Sequence, residues 1–199
     1  MEIDPELLHR PVAPNGAGLV LTHGAGANCR TALLIAVAEM LKSRGVTVLR
    51  YDLPFRQKRP SGPPHPSGAA NDRAGLREAA AAMRTFVGGA VFLGGHSYGG
   101  RQATMLAADE PDLVTGLLLL SYPLHPPGKP ESARTAHFLQ LRTRAAFVHG
   151  ERDQFGTLDE MRPALGLIPA ETLLCPVAGA GHDLKKGKID LTPALDFLF

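Results

Sequence analysis

The chain has 199 residues, a length typical of one folded domain, and its formal net charge is only +2. Hydrophobic residues make up 44% and charged residues 20% of it, as in ordinary globular proteins. The weakly basic balance does not favour nucleic acid, and no apolar run approaches the roughly 18 residues of a membrane span. We therefore expect one globular domain over residues 1–199, with neither a nucleic acid nor a membrane as partner.

The N-terminal residues and the two cysteines indicate the cellular compartment of the protein. Residues 1–6 are acidic where an export signal is positive and then apolar, so we expect a cytoplasmic protein. Cys29 and Cys175 are far apart and form no CxxC pattern, which excludes a disulfide framework and a zinc knuckle. Both are expected to be small buried side chains.

Apolar runs separated by glycine turns recur along the chain. Residues 18–22 predict a strand that ends at the glycine turn 23–27, apolar residues at helical spacing between 33 and 41 predict a helix, and residues 46–51 predict the next strand. Further strands are predicted at 90–93, 117–120, 145–148 and 172–177, and helices at 73–86, 101–108, 158–165 and after Thr192. Apolar strands that alternate with helices are typical of a parallel sheet covered on both faces. We expect an open α/β sheet of six strands, or seven if a short one precedes them.

Two connections, over residues 54–68 and 122–131, are long and rich in proline. Long irregular loops in compact domains are often functional. The first holds the cations Arg56, Lys58 and Arg59, for which two readings stay open: contact with an anionic group of a ligand, or plain solvation of the loop.

Residues 94–100 read GGHSYGG and contain the pattern Gly95-x-Ser97-x-Gly99. A predicted strand precedes this segment and a predicted helix follows it, which is the setting of a nucleophile elbow. Glycine is required at both flanking positions because a side chain there would collide with the neighbouring strand or helix. We expect Ser97 to be a nucleophile raised on this turn.

A serine nucleophile requires a histidine base and an acid that orients the histidine, and in such a fold the acid precedes the histidine in the chain. Of the eight histidines, only His182 lies beyond the last predicted strand, inside the sequence GAGHD. Asp153 follows the strand at 145–148 and is the first candidate for the acid. Glu151 is the second candidate, and Asp183 is expected to point elsewhere.

Two backbone amides are expected to form an oxyanion hole. One belongs to Tyr98, directly after the nucleophile, and the other to the sequence HGAG at 23–26, a shortened form of the HGGG loop. We favour Ala25 in that loop, with Gly24 and Gly26 as alternatives. Predicted substrate contacts are Gly24, Leu124, His125 and Phe155.

Through THGAGAN, GGHSYGG, HGERDQFG and GAGHD, in this order, the chain resembles the α/β-hydrolase superfamily over nearly its full length. More narrowly, GHSYGGR is similar to the elbow of small hydrolase-like proteins related to testis-expressed and chromatin-complex subunits, and to lidless dienelactone hydrolase relatives. Dienelactone hydrolases proper carry a cysteine where Ser97 stands here. The resemblance implies a mostly parallel sheet without a cap domain.

Only about twenty residues separate the strands at 117–120 and 145–148, which leaves room for a loop and at most one helix over residues 132–141.

These residues predict a serine hydrolase that cleaves a small ester or thioester through an acyl-enzyme on Ser97, without a metal or another cofactor. They do not rank esters, thioesters and lactones as substrates, and they do not indicate an oligomeric state. A hydrolase-like scaffold that binds a partner without catalysis stays open as the alternative. A dinucleotide-binding protein is a less favoured alternative. Gly24-x-Gly26 resembles the start of the glycine-rich dinucleotide-binding motif, but Cys29 stands at its third glycine position, and Asp52 lies 26 residues after Gly26, where about 20 are expected.

Overall fold

The structure is a computed structural model that describes residues 3–199. Its strands are β1 Leu8–His9, β2 Gly18–Thr22, β3 Thr47–Tyr51, β4 Val91–His96, β5 Gly116–Leu120, β6 Arg144–Gly150 and β7 Thr172–Val177. Its α-helices are α1 Ala32–Ser43, α2 Pro54–Lys58, α3 Ala69–Met83, α4 Tyr98–Asp109, α5 Leu158–Leu165 and α6 Thr192–Leu198.

All seven strands belong to one sheet, in the order β1-β3-β2-β4-β5-β6-β7. Only β1 is antiparallel to its neighbour, β3, and the other pairs are parallel. The predicted open α/β sheet is confirmed, and the short strand near the N-terminus makes seven strands.

Helices cover both faces of the sheet because successive side chains of a strand point to opposite faces. Leu118 and Leu120 of β5 share an apolar cluster with α1 and α6. Leu117 and Leu119 share the other with α3, α4 and α5. Both cysteines are buried and free, as predicted. Within residues 3–199, the helices are too short or too polar to cross a bilayer.

The first proline-rich connection is more ordered than predicted. Its first five residues, Pro54–Lys58, form α2, because proline has no N–H to satisfy at the first helical position and its fixed φ suits a helix. Phe55 of this helix is buried in the apolar core. The expectation of an irregular loop is therefore wrong at its start, and Pro66–Gly68 adds a short 3-10 turn before α3.

The whole connection between β5 and β6, which begins with the second proline-rich segment, contains two 3-10 turns, Pro130–Ser132 and Phe138–Gln140, and no α-helix over 132–141. Tertiary contacts fix its conformation. Phe138 is fully buried, and His137 Nε2 lies 2.8 Å from Thr104 Oγ1 of α4. The Thr104 hydroxyl donates to a carbonyl of its own helix, so the neutral His137 ring donates to Thr104.

β2 and β4 lie side by side where the strand order reverses. The crossover through α1 leads from β2 to β3, and the next crossover returns past β2 to β4. Open α/β sheets bind ligands outside the carboxyl ends of their strands at such a point. Thr22 at the end of β2 pairs with Gly95 of β4, so the turn 23–27 begins beside the elbow.

The half-buried His137 makes stability depend on pH. Burial lowers its pKa from the ordinary 6.5 to about 4; Arg101 and Arg73 also lower it, and Asp109 opposes them. Between these pH values the unfolded chain binds a proton that the folded chain does not. The stabilisation is therefore complete above pH 6.5 and is lost as the pH falls toward 4.

We expect the free energy of unfolding in urea to decrease across that window, by at most about 1.4 kcal/mol per pH unit from this histidine. His137→Gln keeps a donor for Thr104 but does not titrate, so its curve should fall less steeply. Parallel curves for the two proteins would contradict the assignment to His137.

Candidate active site

The backbone of Ser97 turns sharply between β4 and α4. Its φ is +50° and its ψ is −116°, a conformation that L-residues rarely adopt. The Ser97 amide donates to the Leu120 carbonyl of β5 at 2.9 Å, and the Gly99 amide donates to the His23 carbonyl after β2 at 3.1 Å. Three adjacent strands therefore hold the turn that presents this serine.

The two flanking glycines are required by the space around the turn. A Cβ on Gly95 would lie 2.6 Å from the Gly100 nitrogen. On Gly99 it would lie 2.5 Å from Thr22 Cγ2 and 2.6 Å from the His23 oxygen. These distances are shorter than van der Waals contact, so no other residue type fits without displacing β2 or the start of α4.

Ser97, His182 and Asp153 form a continuous chain of hydrogen bonds. Ser97 Oγ lies 2.8 Å from His182 Nε2, and His182 Nδ1 lies 2.9 and 2.8 Å from the two carboxylate oxygens of Asp153. Glu151 instead binds the Gly179 amide at 2.9 Å, and Asp183 binds the Lys185 amide at 3.1 Å. Of the two candidates for the acid, Asp153 is therefore the one that contacts the histidine, and Asp183 binds elsewhere, as expected.

Asp153 is buried, at 1% exposure, and receives a backbone hydrogen bond besides that of His182. The Phe155 amide donates to its Oδ1 at 2.8 Å. His149 lies 3.6 Å from its Oδ2, but burial lowers the pKa of His149, and its Nε2 donates to the Gly156 carbonyl at 2.7 Å. The ring of Phe155 packs against that of His182, with centroids 4.1 Å apart, and restricts the histidine to this orientation.

His96, directly before the nucleophile, holds the loop of His182. Its Nε2 donates to the His182 carbonyl at 2.8 Å, and burial lowers the pKa of His96. No role for His96 was predicted from the sequence. Its position next to Ser97 was a usable signal, but its partner lies 86 positions away in the chain.

His23 fixes the turn that follows β2. It is fully buried, and burial lowers its pKa. Its Nε2 accepts from the Leu53 amide at 3.1 Å, so the proton of the neutral ring is on Nδ1, which donates to the Gly24 carbonyl at 2.9 Å. Ala25 then lies at the wall of the cavity in front of Ser97.

Two backbone amides beside this cavity are free to bind an oxygen. Tyr98 is the first residue of α4, so its amide has no acceptor within the helix. The amide of Ala25 has no acceptor among residues 3–199. Asp72 fixes the Tyr98 side chain by accepting from its hydroxyl at 2.8 Å, and burial raises the pKa of that hydroxyl.

Arg56 is buried, at 6% exposure, against backbone carbonyls. It is therefore neither solvated nor exposed for contact with an anion, the two roles considered for the cations of this segment. Its guanidinium donates to the carbonyls of Ala27 at 2.7 Å, Ala25 at 3.0 Å, Gly62 at 2.9 Å and Arg59 at 3.2 Å. Arg56 therefore fastens the turn 23–27 to the loop after α2.

The cavity in front of Ser97 has a volume of about 530 Å³. Of the predicted contacts, Phe155 lines it, whereas Leu124 and His125 lie elsewhere: Leu124 is 3% exposed and packs against Gly156, and His125 contacts Glu160. Gly24 does not line the cavity but lies beside the elbow, where an added Cβ would be 3.1 Å from His96 Nδ1 and 3.4 Å from Ser97 Cβ. The remaining walls are Pro64, His65, Pro66, Ala69, Tyr98, Arg101, Gln102, Met105, Pro123 and Arg134.

Of the polar side chains in these remaining walls, only Tyr98 was predicted from the sequence to belong to the site. Arg101 had a usable signal, because it follows Ser97 by four residues on a predicted helix and so lies one turn away on the same face. Gln102 and Arg134 had no such signal. Within residues 3–199, no group of three or more His, Cys, Asp or Glu side chains is arranged to hold a metal.

The chain belongs to the alpha/beta-hydrolase family, since the family model described as an alpha/beta hydrolase domain matches residues 15–193. Solved structures of hydrolases share this fold. An alpha-beta serine hydrolase homologue from Coxiella burnetii has a TM-score of 0.72 at 16% identity, over 88% of this chain and 81% of that one. A serine hydrolase without lid from Xanthomonas campestris has a TM-score of 0.72 at 18% identity, over 95% and 84%.

A dienelactone hydrolase from Anabaena variabilis is also similar, with a TM-score of 0.66 at 20% identity, over 87% of this chain and 81% of that one. At these identities the likeness concerns the fold. The predicted superfamily and the fold without a cap domain are confirmed.

The glycine at position 99 permits a direct test of the elbow. We expect Gly99→Ala to lower the free energy of unfolding in urea by about 1–3 kcal/mol or more, because the new methyl group collides with β2. The control is Gly26→Ala, where a Cβ meets nothing within 4 Å, and a change within about 0.5 kcal/mol is expected. Equal effects of the two substitutions would contradict the steric account.

Arg56 has its own test by hydrogen exchange. Arg56→Met removes the donors that hold the carbonyls of Ala25 and Ala27, so the Ala27 amide, which donates to the Gly24 carbonyl at 3.1 Å, should exchange faster, by about tenfold or more. A peptide from β6 should not change. Lys58→Met, an exposed position of the same helix, is the matched control and should leave the turn protected. Unchanged exchange in Arg56→Met would show that the turn holds its conformation without this side chain.

Proposed function

We propose that this protein is a serine hydrolase that cleaves a small ester or thioester through an acyl-enzyme on Ser97. The single observation that carries the proposal is the hydrogen-bonded chain from Ser97 Oγ through His182 to the buried Asp153. A serine hydroxyl is a weak nucleophile, and this arrangement is what activates it.

In the first step, Ser97 Oγ attacks the carbonyl carbon, and His182 Nε2 accepts the hydroxyl proton. Asp153 accepts a hydrogen bond from Nδ1, so that Nε2 is the unprotonated nitrogen before attack, and its negative charge stabilises the imidazolium that forms. His182 then donates the proton to the departing alcohol or thiol, which leaves the acyl group on Ser97.

The negative charge that develops on the carbonyl oxygen is stabilised by hydrogen bonds from the backbone amides of Tyr98 and Ala25. In enzymes of known mechanism, one such donor contributes about 3–4 kcal/mol to the transition state. Because both donors belong to the backbone, substitution of either side chain does not remove them. His23 and Arg56 support this assignment, since they hold the carbonyls on either side of the Ala25 amide.

In the second step, a water molecule attacks the acyl carbonyl, and His182 accepts its proton. The proton then returns to Ser97 Oγ as the acid product leaves. The cavity opens to solvent without a cap domain, and the short connection between β5 and β6 contributes only Pro123 and Arg134 to its walls. A small acyl group fits this space, which is within the usual range of about 300–1,000 Å³ for ligand sites.

The acid of the triad provides the sharpest test by substitution. We expect Asp153→Asn to lower kcat for 4-nitrophenyl acetate by about 10³–10⁴, because the histidine then takes the wrong tautomer. Asp183→Asn is the control, since Asp183 is next to His182 in the chain but binds Lys185. It should retain kcat within about twofold. Similar losses in both variants would contradict the role of Asp153.

A fluorophosphonate probe tests whether the site is catalytic at all. We expect it to label Ser97 in the wild-type protein and to fail with Ser97→Ala, as read by intact-mass and peptide mass spectrometry. If folded wild-type protein is not labelled and turns over neither ester nor thioester, the alternative of a non-catalytic scaffold is favoured instead.

A further inference from the structure

The polar side chains around the cavity are biased toward hydrogen-bond donors and positive charge. Arg101, Gln102 and Arg134 lie in its walls together with Ser97. The described wall residues include no aspartate or glutamate. The remaining walls, among them Pro64, Pro66, Met105 and Phe155, are largely apolar.

Gln102 is fully buried, and its amide orientation is fixed. Its Oε1 accepts from Arg73 Nη1 at 3.1 Å, which leaves the NH₂ group as the donor that remains. That Nε2 has no hydrogen-bond partner in the described chain. An unsatisfied buried donor costs free energy, so an acceptor is expected from a ligand.

The two arginines beside it also lack acid partners. Neither Arg101 nor Arg134 lies within 4.0 Å of a carboxylate oxygen of residues 3–199, and the buried Nε of Arg101 has no acceptor there. Burial lowers the pKa of Arg134, and the charge of Arg101 lowers it further. Two uncompensated like charges at one cavity are stabilised when an anion enters.

Both arginines are held in place by backbone contacts. Arg101 is on α4, four residues after Ser97, and a rise of 1.5 Å per residue puts it about 6 Å further along the helix axis. The Arg134 carbonyl accepts from the Tyr122 hydroxyl at 2.7 Å, and its amide donates to the Leu124 carbonyl at 2.7 Å. These contacts fix the backbone of both residues relative to Ser97, and the Arg134 guanidinium is held by Nη1, which donates to the Pro123 carbonyl at 3.3 Å.

We propose that the cavity binds a substrate that carries a carboxylate or phosphate group a few carbon atoms from its ester or thioester carbonyl. Arg101, Arg134 and the amide of Gln102 hold the anion, and the apolar walls cover the linking carbon chain. Ester cleavage in this scheme rests on the proposed function, but recognition of the anion does not. In this proposal the cations that bind the anion come from α4 and from the connection between β5 and β6, and not from the cluster Arg56, Lys58 and Arg59.

Two matched esters test this selectivity. Mono-4-nitrophenyl adipate carries a free carboxylate, and methyl 4-nitrophenyl adipate has the same chain with that charge removed. We expect kcat/KM to be at least about tenfold higher for the anionic ester. The ratio should fall toward one in Arg101→Gln and in Arg134→Gln, and Arg134→Lys, which keeps the charge, should restore part of it.

Arg162→Gln is the matched control, because it makes the same replacement at an exposed arginine outside the cavity. It should retain the wild-type ratio, and a thermal unfolding curve checks that every variant is folded. A wild-type ratio of one or less, or a ratio that Arg101→Gln and Arg134→Gln leave unchanged, would overturn the proposal.

A binding experiment separates this inference from the proposed function. In Ser97→Ala protein, adipate and hexyl phosphate are titrated by calorimetry at low salt, with dimethyl adipate as the neutral comparison. We expect at least one of the two anions to bind, dimethyl adipate not to bind, and Gln102→Leu or Arg101→Gln to weaken anion binding by at least about tenfold. The tighter of the two anions identifies the preferred acid group.

The two failures are distinguishable. Anion binding without any ester turnover or probe labelling supports the anion site and contradicts the hydrolase. Turnover of both esters at equal rates, with no anion binding, supports the hydrolase and contradicts the anion site.

Discussion

The strained backbone of Ser97 is the constraint on which the rest of the site depends. A conformation of this kind costs about 1–3 kcal/mol and persists only where the surroundings enforce it. Here the surroundings are the Leu120 carbonyl of β5 and the His23 carbonyl after β2, which accept from the amides on either side of the turn. Gly99 makes this approach of β2 and α4 sterically allowed. The centre of the sheet therefore fixes the position of the serine hydroxyl.

The parallel sheet also explains how distant residues meet that hydroxyl. Asp153 follows β6 and His182 follows β7, and the carboxyl ends of parallel strands share one edge of the sheet. Further contacts then fix the loops, since His96 binds the His182 carbonyl and the Phe155 ring packs against the histidine. His96 holds the backbone of the His182 loop and Phe155 holds the His182 ring, so the position of this histidine does not depend on a cap domain.

Arginines have two different roles around the same cavity. Arg56 is buried against carbonyls and stabilises the turn that carries Ala25. Arg101 and Arg134 have no acid partner in the described chain, and they lie in the cavity wall. Arg56 compensates for backbone acceptors that folding removes from water, whereas the positive charges of Arg101 and Arg134 are not neutralised by an acid of the described chain. Burial and partners, not residue type, distinguish these roles.

The sequence by itself determined the parallel strands, every helix except α2, the elbow pattern at Ser97 and the order in which Asp153 and His182 follow it. Apolar periodicity and glycine spacing are local properties, because they depend only on residues that are close together in the chain. Only the tertiary structure decided that Arg56 is internal, that Leu124 and His125 pack away from the cavity, and that Arg101 and Arg134 line it. Those contacts depend on the paths that separate loops take over the edge of the sheet, and no local pattern encodes where two distant loops meet.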